Sequence, residues 1–163
     1  MQTIHPMLWF NGQAEEAAKY YVSVFPNSEI RDVVPYGGGE NEGKVMTVEF
    51  ILDGQEFVAL NGGPEFKFNE SVSFVIPCES QAEVDDFWNT LVDGGTPSYC
   101  GWLKDRFGLS WQVVPTALTR MLEDDDPEKV RRVTEAMLAV VGKFDIAELE
   151  AAFDGTREPA AVR

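Results

Sequence analysis

A chain of 163 residues, 44% of them hydrophobic, is long enough for one domain with a sizeable core and needs no disulfide framework to hold it together. Its formal net charge of −15 and sequence pI near 4.3 argue against nucleic acid and anionic membrane surfaces as partners, because either would repel it at long range. Two cysteines, Cys78 and Cys100, suit free thiols in a reducing compartment. The opening MQTIHPMLWF has no signal-peptide pattern, and no apolar run approaches the roughly 18 residues that span a bilayer, so a cytoplasmic location is expected.

In chain order, Ile4 to Phe10 reads as a strand apolar on both faces, closed by the turn Asn11, Gly12. Gln13 to Phe25 reads as a helix. Ala14, Ala17, Ala18, Tyr21, Val22 and Phe25 recur at helical spacing, Glu15, Glu16 and Lys19 lie outside the stripe, and Pro26 ends it. Ser28 to Tyr36 is a strand and GGGENEG, Gly37 to Gly43, a loop. Lys44 to Leu52 and Gln55 to Leu60 form a hairpin about Asp53, Gly54. After the aromatic-punctuated connector Asn61 to Asn69, a second series begins. It comprises a strand at Ser71 to Pro77, a helix at Gln81 to Val92 with Val84, Phe87, Trp88 and Leu91 on one face, and a hairpin of Tyr99 to Lys104 with Leu109 to Val114.

The two series repeat in their order of elements and in a few residues. Gln13, Ala14, Glu15 recur as Gln81, Ala82, Glu83, and Gly54 and Phe57 fall opposite Gly108 and Trp111. In the last strand Leu109, Trp111 and Val113 face one way, and Ser110, Gln112 and Val114 the other. Gln112 therefore sits between apolar sequence neighbours and is either at a wet surface or inside a cavity, since a dry core would strand its amide. Lys104 and Asp105, at the turn, read as solvated.

Beyond Thr116 the pattern is helical. Ala117 to Leu122 is a short helix, Asp124, Asp125, Asp126 and Pro127 start another with Val130, Val133, Met137 and Val140 as its stripe, and Asp145 to Phe153 is a third. Such a stripe calls either for a partner surface, giving a homodimer, or for the chain's own sheet.

The motifs WFNGQAEEAAKYYVSVFPNSEI, VMTVEFILDGQEFVALNGGPEFKFNESVSF and CGWLKDRFGLSWQVVP resemble the vicinal oxygen chelate superfamily, and within it the PhnB-like branch labelled 3-demethylubiquinone-9 3-methyltransferase. The resemblance implies an α+β fold in which two βαβββ units form a mixed, curled sheet around a cavity, with C-terminal helices added. The units then run from about residue 3 to 61 and 70 to 115, the helices from 116 to 154, and a disordered tail from 156 to 163. It also implies metal-ligand positions on the first and last strands of each unit. Carried over, these are His5, or Pro6 in an alternative register, with Val58 in the first unit, and Ser71 with Gln112 in the second. Valine cannot ligate and neutral serine rarely does, so no metal and no cofactor are expected. A methyltransferase would need a Gly-rich strand-to-helix turn, and Gly37 to Gly39 precede no helix. The resemblance implies instead a small, partly aromatic ligand, met by His5, Trp9, Asn61, Ser71, Trp102 and Gln112, in a homodimeric protein. An enzyme of the same superfamily acting on such a molecule is the alternative.

Overall fold

The computed structural model describes residues 4–156. The chain divides into two compact units, Met1–Phe68 and Asn69–Arg163. The first contains β1 (Met7–Phe10), α1 (Ala14–Val24), β2 (Glu29–Pro35), β3 (Val45–Leu52) and β4 (Gln55–Asn61). These strands form one sheet in the order β1-β4-β3-β2, with β1 parallel to β4 and the other pairs antiparallel. The hairpin turn Asp53, Gly54 has φ of 45° and 80°, the doubly left-handed geometry that suits the twist of flanking strands. Period-2 alternation puts Leu8, Phe10, Val48, Phe50, Leu52, Phe57 and Ala59 on the face packed by Ala14, Ala17, Ala18 and Tyr21 of α1, all of them buried. Aromatic stacking from Tyr21 through Phe50 to Phe57 fills that layer. The opposite face carries Met7, Trp9, Glu49, Glu56, Val58 and Leu60 and lies away from α1.

The second unit repeats the topology. It contains β5 (Phe74–Cys78), α2 (Gln81–Val92), β6 (Thr96–Pro97), β7 (Trp102–Lys104) and β8 (Ser110–Pro115), with sheet order β5-β8-β7-β6 and a parallel β5–β8 pair. Ser80 caps α2 by accepting from the Glu83 N–H, and Glu83 reaches back to the Glu79 N–H one residue further out. Val84, Trp88 and Leu91 bury themselves with Ile76, Cys78, Leu103, Trp111 and Val113. Burial pushes the Cys78 thiol up to about 11, so it is un-ionised at neutral pH and inert. α3 (Thr116–Leu122), α4 (Pro127–Leu138) and α5 (Ile146–Asp154) follow.

The curled sheet expected from the resemblance is corrected by this topology. Each unit has its own four-stranded sheet, and each is open, with β1 and β2 or β5 and β6 as edges. Closure requires edge strands to hydrogen-bond to each other, and the ladders contain no such pair.

Three smaller differences concern strand ends. β1 starts at Met7, and ahead of it the Pro6 carbonyl accepts from Val58 N at 3.0 Å. The predicted strand from Tyr99 is broken by Cys100 and Gly101, whose φ values of 53° and 75° belong to a turn. β6 was absent from the sequence pattern. Gly155, in the left-handed conformation, and Thr156 close α5 through bonds to the Ala152 and Ala151 carbonyls, and residues 157–163 of the expected tail lie outside the described residues.

The stripe on α4 is spent within the chain. Val133 and Ala136 are buried in a cluster with Leu118, Met121, Phe144, Leu149 and Ala152, and Met137 and Val140 pack against it. That removes the local argument for a dimer through α4. Val133→Ala is expected to lower unfolding free energy by about 2 kcal/mol through cavity formation, read from urea titration, with the mass from light scattering unchanged.

Candidate functional site

Of the six sequence-derived candidates, three lie in each unit. Trp9 is set by β1 on the face of the first sheet away from α1. Its indole N–H donates to the Gly63 carbonyl at 2.9 Å, and Phe66 meets it edge-on at 4.9 Å between centroids. Gly62 lies flat beneath the ring, where a Cβ would stand 2.3 Å from Trp9 Cζ2. Phe10, facing the other way, has Phe68 edge-on at 5.2 Å. The connector after β4 thus folds back on β1 and builds an aromatic cluster. His5 is exposed and lines a cavity of about 110 Å³ with Arg31, Glu49, Glu56 and Val58, below the roughly 300–1,000 Å³ of a drug-sized ligand pocket.

Asn61 has a structural task. It stands on the helix side of β4, where its Oδ1 accepts from Ala14 N at 2.9 Å and its Nδ2 donates to the Val45 carbonyl at 3.0 Å. Gln13, at the N-cap position of α1, makes no side-chain cap, so Asn61 satisfies that helix end from a distant strand. The Tyr36 hydroxyl donates to the Asn61 carbonyl. Asn61 also lines a cleft of about 400 Å³ with Asn11, Glu15, Tyr36, Asn41 and Lys44, none of which the sequence marked as a site residue.

In the second unit the structure brings Trp102 and Gln112 together as directly paired residues of β7 and β8, on the face away from α2. Gln112 Nε2 donates to Ser73 Oγ at 2.9 Å, which leaves its carbonyl oxygen as an acceptor. Ser110, on the same face and 1% exposed, has a buried hydroxyl with no hydrogen-bond partner among the described residues. Lys104 pairs with Glu70 at 2.5 Å, and this holds the exposed Glu70 carboxyl below the usual carboxylate range. Ser71 lies ahead of β5, exposed, with its N–H and hydroxyl bonded to Asn69 Oδ1 in a local turn.

The pairings also settle the correspondence between units. Met7 pairs with Val58 and Val75 with Gln112, so the counterpart of His5 is Ser73, two residues beyond the expected Ser71.

A residue the sequence left in solvent is the best-connected in this region. Asp105 is 3% exposed and accepts from Phe107 N at 2.8 Å, Leu109 N at 3.1 Å and Trp111 Nε1 at 2.8 Å. It organises the turn and pins the tryptophan on the α2 side.

The metal-ligand positions implied by the resemblance are thus His5 with Val58, and Ser73 with Gln112. One imidazole without a thiolate or carboxylate among them does not fit the donor set of a divalent transition metal. Among the described residues no group of three or more His, Cys, Asp or Glu could hold a metal ion. Elemental analysis of the purified protein is expected to find far less than one equivalent of zinc, nickel, manganese or iron.

Compared with known families, residues 2–114 match the family described as 3-demethylubiquinone-9 3-methyltransferase. Among solved structures, the chain is similar to a PhnB protein from Bacillus cereus carrying that same description. The identity is 34% and the TM-score 0.65, over 70% of this chain and 99% of that one. A protein from Pseudomonas aeruginosa, 23% identical with a TM-score of 0.60 over 71% of this chain and 98% of that one, shares the fold. No curated protein matches the sequence. The family match ends at Val114, so α3, α4 and α5 lie beyond it.

Proposed function

The chain belongs to the 3-demethylubiquinone-9 3-methyltransferase family, the PhnB-like branch of the vicinal oxygen chelate superfamily, and on that premise we propose that it binds a small, partly aromatic or quinone-like molecule. We place that molecule on the face of the second sheet that lies away from α2. The observation that carries this reading is the Trp102–Gln112 pair. An indole plane stands directly across from an amide with a spare acceptor, and the orphaned Ser110 hydroxyl lies on the same face. A flat ring stacks on such an indole, and a hydroxyl on that ring donates to the Gln112 carbonyl oxygen.

Binding without turnover is favoured over a named reaction. Methyl transfer needs a cradle for the methyl donor, and in this chain no glycine-rich turn joins a strand to a helix N-terminus: β1 passes to α1 through Asn11, Gly12 and Gln13 alone. A homodimer remains part of the proposal, through a surface other than the stripe of α4. The cytoplasmic location rests on two unpaired cysteines, and among the described residues no helix is long and apolar enough to cross a membrane.

The test is a titration with catechol and a short-chain benzoquinone, followed by calorimetry and tryptophan fluorescence. Saturable binding that weakens at least tenfold in Gln112→Ala and in Trp102→Ala is the expected result. Binding unaffected by both substitutions, or none up to millimolar probe, rejects the placement.

A further inference from the structure

The segment joining α4 to α5, residues 139–145, makes a set of contacts that an ordinary linker does not. Cys100 N donates to the Val140 carbonyl at 3.0 Å, Gly101 N to the Gly142 carbonyl at 2.9 Å, and Gly142 N to the Ser98 carbonyl at 2.8 Å, with Tyr99 and Val141 facing each other as an antiparallel bridge. These bonds land on the turn ahead of β7. On its other side that turn is tied to the sheet, because Val113 N donates to the Gly101 carbonyl at 2.8 Å and Ser98 N to the Trp102 carbonyl at 2.8 Å. Phe144, 2% exposed, closes on Gly101 so tightly that a Cβ there would lie 2.6 Å from its ring.

The far end of the segment is fastened to α2 by one side chain. Gln81 Nε2 donates to the Phe144 carbonyl at 3.1 Å, and its Oε1 accepts from Ile146 N at 2.9 Å, so both ends of the amide grip the chain on either side of Asp145. Asp85 supports the grip. Its Oδ1 accepts from Gln81 Nε2 at 3.0 Å and from Lys143 Nζ at 2.6 Å. Gln13, the repeat counterpart of Gln81 in the first unit, makes no side-chain cap for its own helix.

We infer that residues 139–145 are a strap that holds the turn at 98–101, and through it Trp102, in register with Gln112, and that Gln81 is the positioning residue of this strap. The strap itself, residues 139–145, lies beyond the part of the chain that matches the family, whereas Gln81 and the turn it serves lie within that part. Its bearing on ligand binding rests on the Trp102–Gln112 reading above. Its mechanical content does not.

Amide hydrogen exchange on the full chain tests it, comparing the parent with Gln81→Ala, Gln81→Glu and, as a control, Val133→Ala. Loss of the Gln81 bonds is expected to speed exchange at Cys100, Gly101 and Gly142 together, roughly tenfold or more, while amides of α1 and β3 keep their rates. Gln81→Glu should move the same way, because it loses the donor to Phe144 and sets a second carboxylate beside Asp85. Val133→Ala should instead raise exchange across α3, α4 and α5 without singling out the turn. The inference fails if Gly142 speeds up while Cys100 and Gly101 do not, if no amide responds, or if Val133→Ala reproduces the Gln81→Ala pattern. Each of these outcomes is read without any ligand, so failure of the strap and failure of the binding face are told apart.

Discussion

Asp105→Ala is expected to lower the unfolding free energy by about 3–5 kcal/mol, seen as a shift of the urea midpoint with tryptophan fluorescence as the probe. The carboxylate is almost wholly buried and is the acceptor for two backbone N–H groups and one indole N–H. Removing it leaves those donors without that acceptor in a place where water replaces it poorly, and an unmade buried hydrogen bond costs about 1–3 kcal/mol. Asp105→Asn should cost less, because one amide oxygen still serves the Phe107 and Leu109 N–H groups while its NH₂ opposes the Trp111 N–H. The sharper check is a double-mutant cycle. In the Asp105→Ala background Trp111→Phe removes the orphaned indole donor, so the two losses should sum to more than the double mutant shows. Full additivity would mean that the Asp105–Trp111 bond contributes nothing.

Gly95→Ala should be comparably damaging, by about 3 kcal/mol, although its neighbour Gly94 is the glycine with the unusual backbone. A Cβ on Gly95 would stand 2.1 Å from the Lys104 carbonyl oxygen and 3.0 Å from the Asp105 Cα and carbonyl carbon, all main-chain atoms that cannot rotate away. Gly94 has φ of 75°, but its Cβ would meet only the Arg106 side chain, at 3.3 Å. Gly94→Ala therefore incurs the left-handed penalty alone, about 1–2 kcal/mol. Thermal or urea unfolding that ranks Gly94→Ala as the worse of the two would contradict the packing argument. Because Gly95 presses on the backbone of Asp105, the two largest losses fall on one hairpin and will not be independent.

The limits of the sequence reading follow from which forces act locally. The helix at Gln81 to Val92 was legible to the residue, since its apolar period and the Asp93, Gly94, Gly95 that follow it agree, and the structure adds the Ser80 cap. The face occupied by Gln112 was legible too, because alternation distinguishes the two sides of a strand. An even slip is invisible to the same pattern. Moving by two residues returns every side chain to its own face, and this is why Ser71 was carried to the place that pairing gives to Ser73. Sheet closure was equally hidden, as alternation describes faces and says nothing of how edges meet. β6, two residues with a proline, is too short to carry a period. Asp105 was misplaced because a polar residue beside a glycine-containing turn looks solvated in sequence, and only its partner Trp111 shows that it is buried; the structural partner of Asn61, the start of α1, is equally distant in sequence and left no local signal. The sequence signal for Asp105 was the pairing of an acid at the head of a tight turn with glycine at its foot, a pattern that favours side-chain acceptance from the turn's own N–H groups.

In both units the first strand of the sheet lies beside the last, so the parallel ladders β1–β4 and β5–β8 join the opposite ends of each strand-helix-strand series. Neither ladder can form until its whole series is available, and it closes a long loop at a cost in chain entropy. Synthesis from the N-terminus resolves this in two instalments. The first unit holds all the partners of its own sheet and can complete β1–β4 while the second is still being made. The second unit must wait longer than its sheet requires, because the turn that leads into β7 receives its bonds from Val140 and Gly142, among the later residues to leave the ribosome. Refolding from denaturant should therefore show two phases, with protection at Gly101 arriving in the slower one.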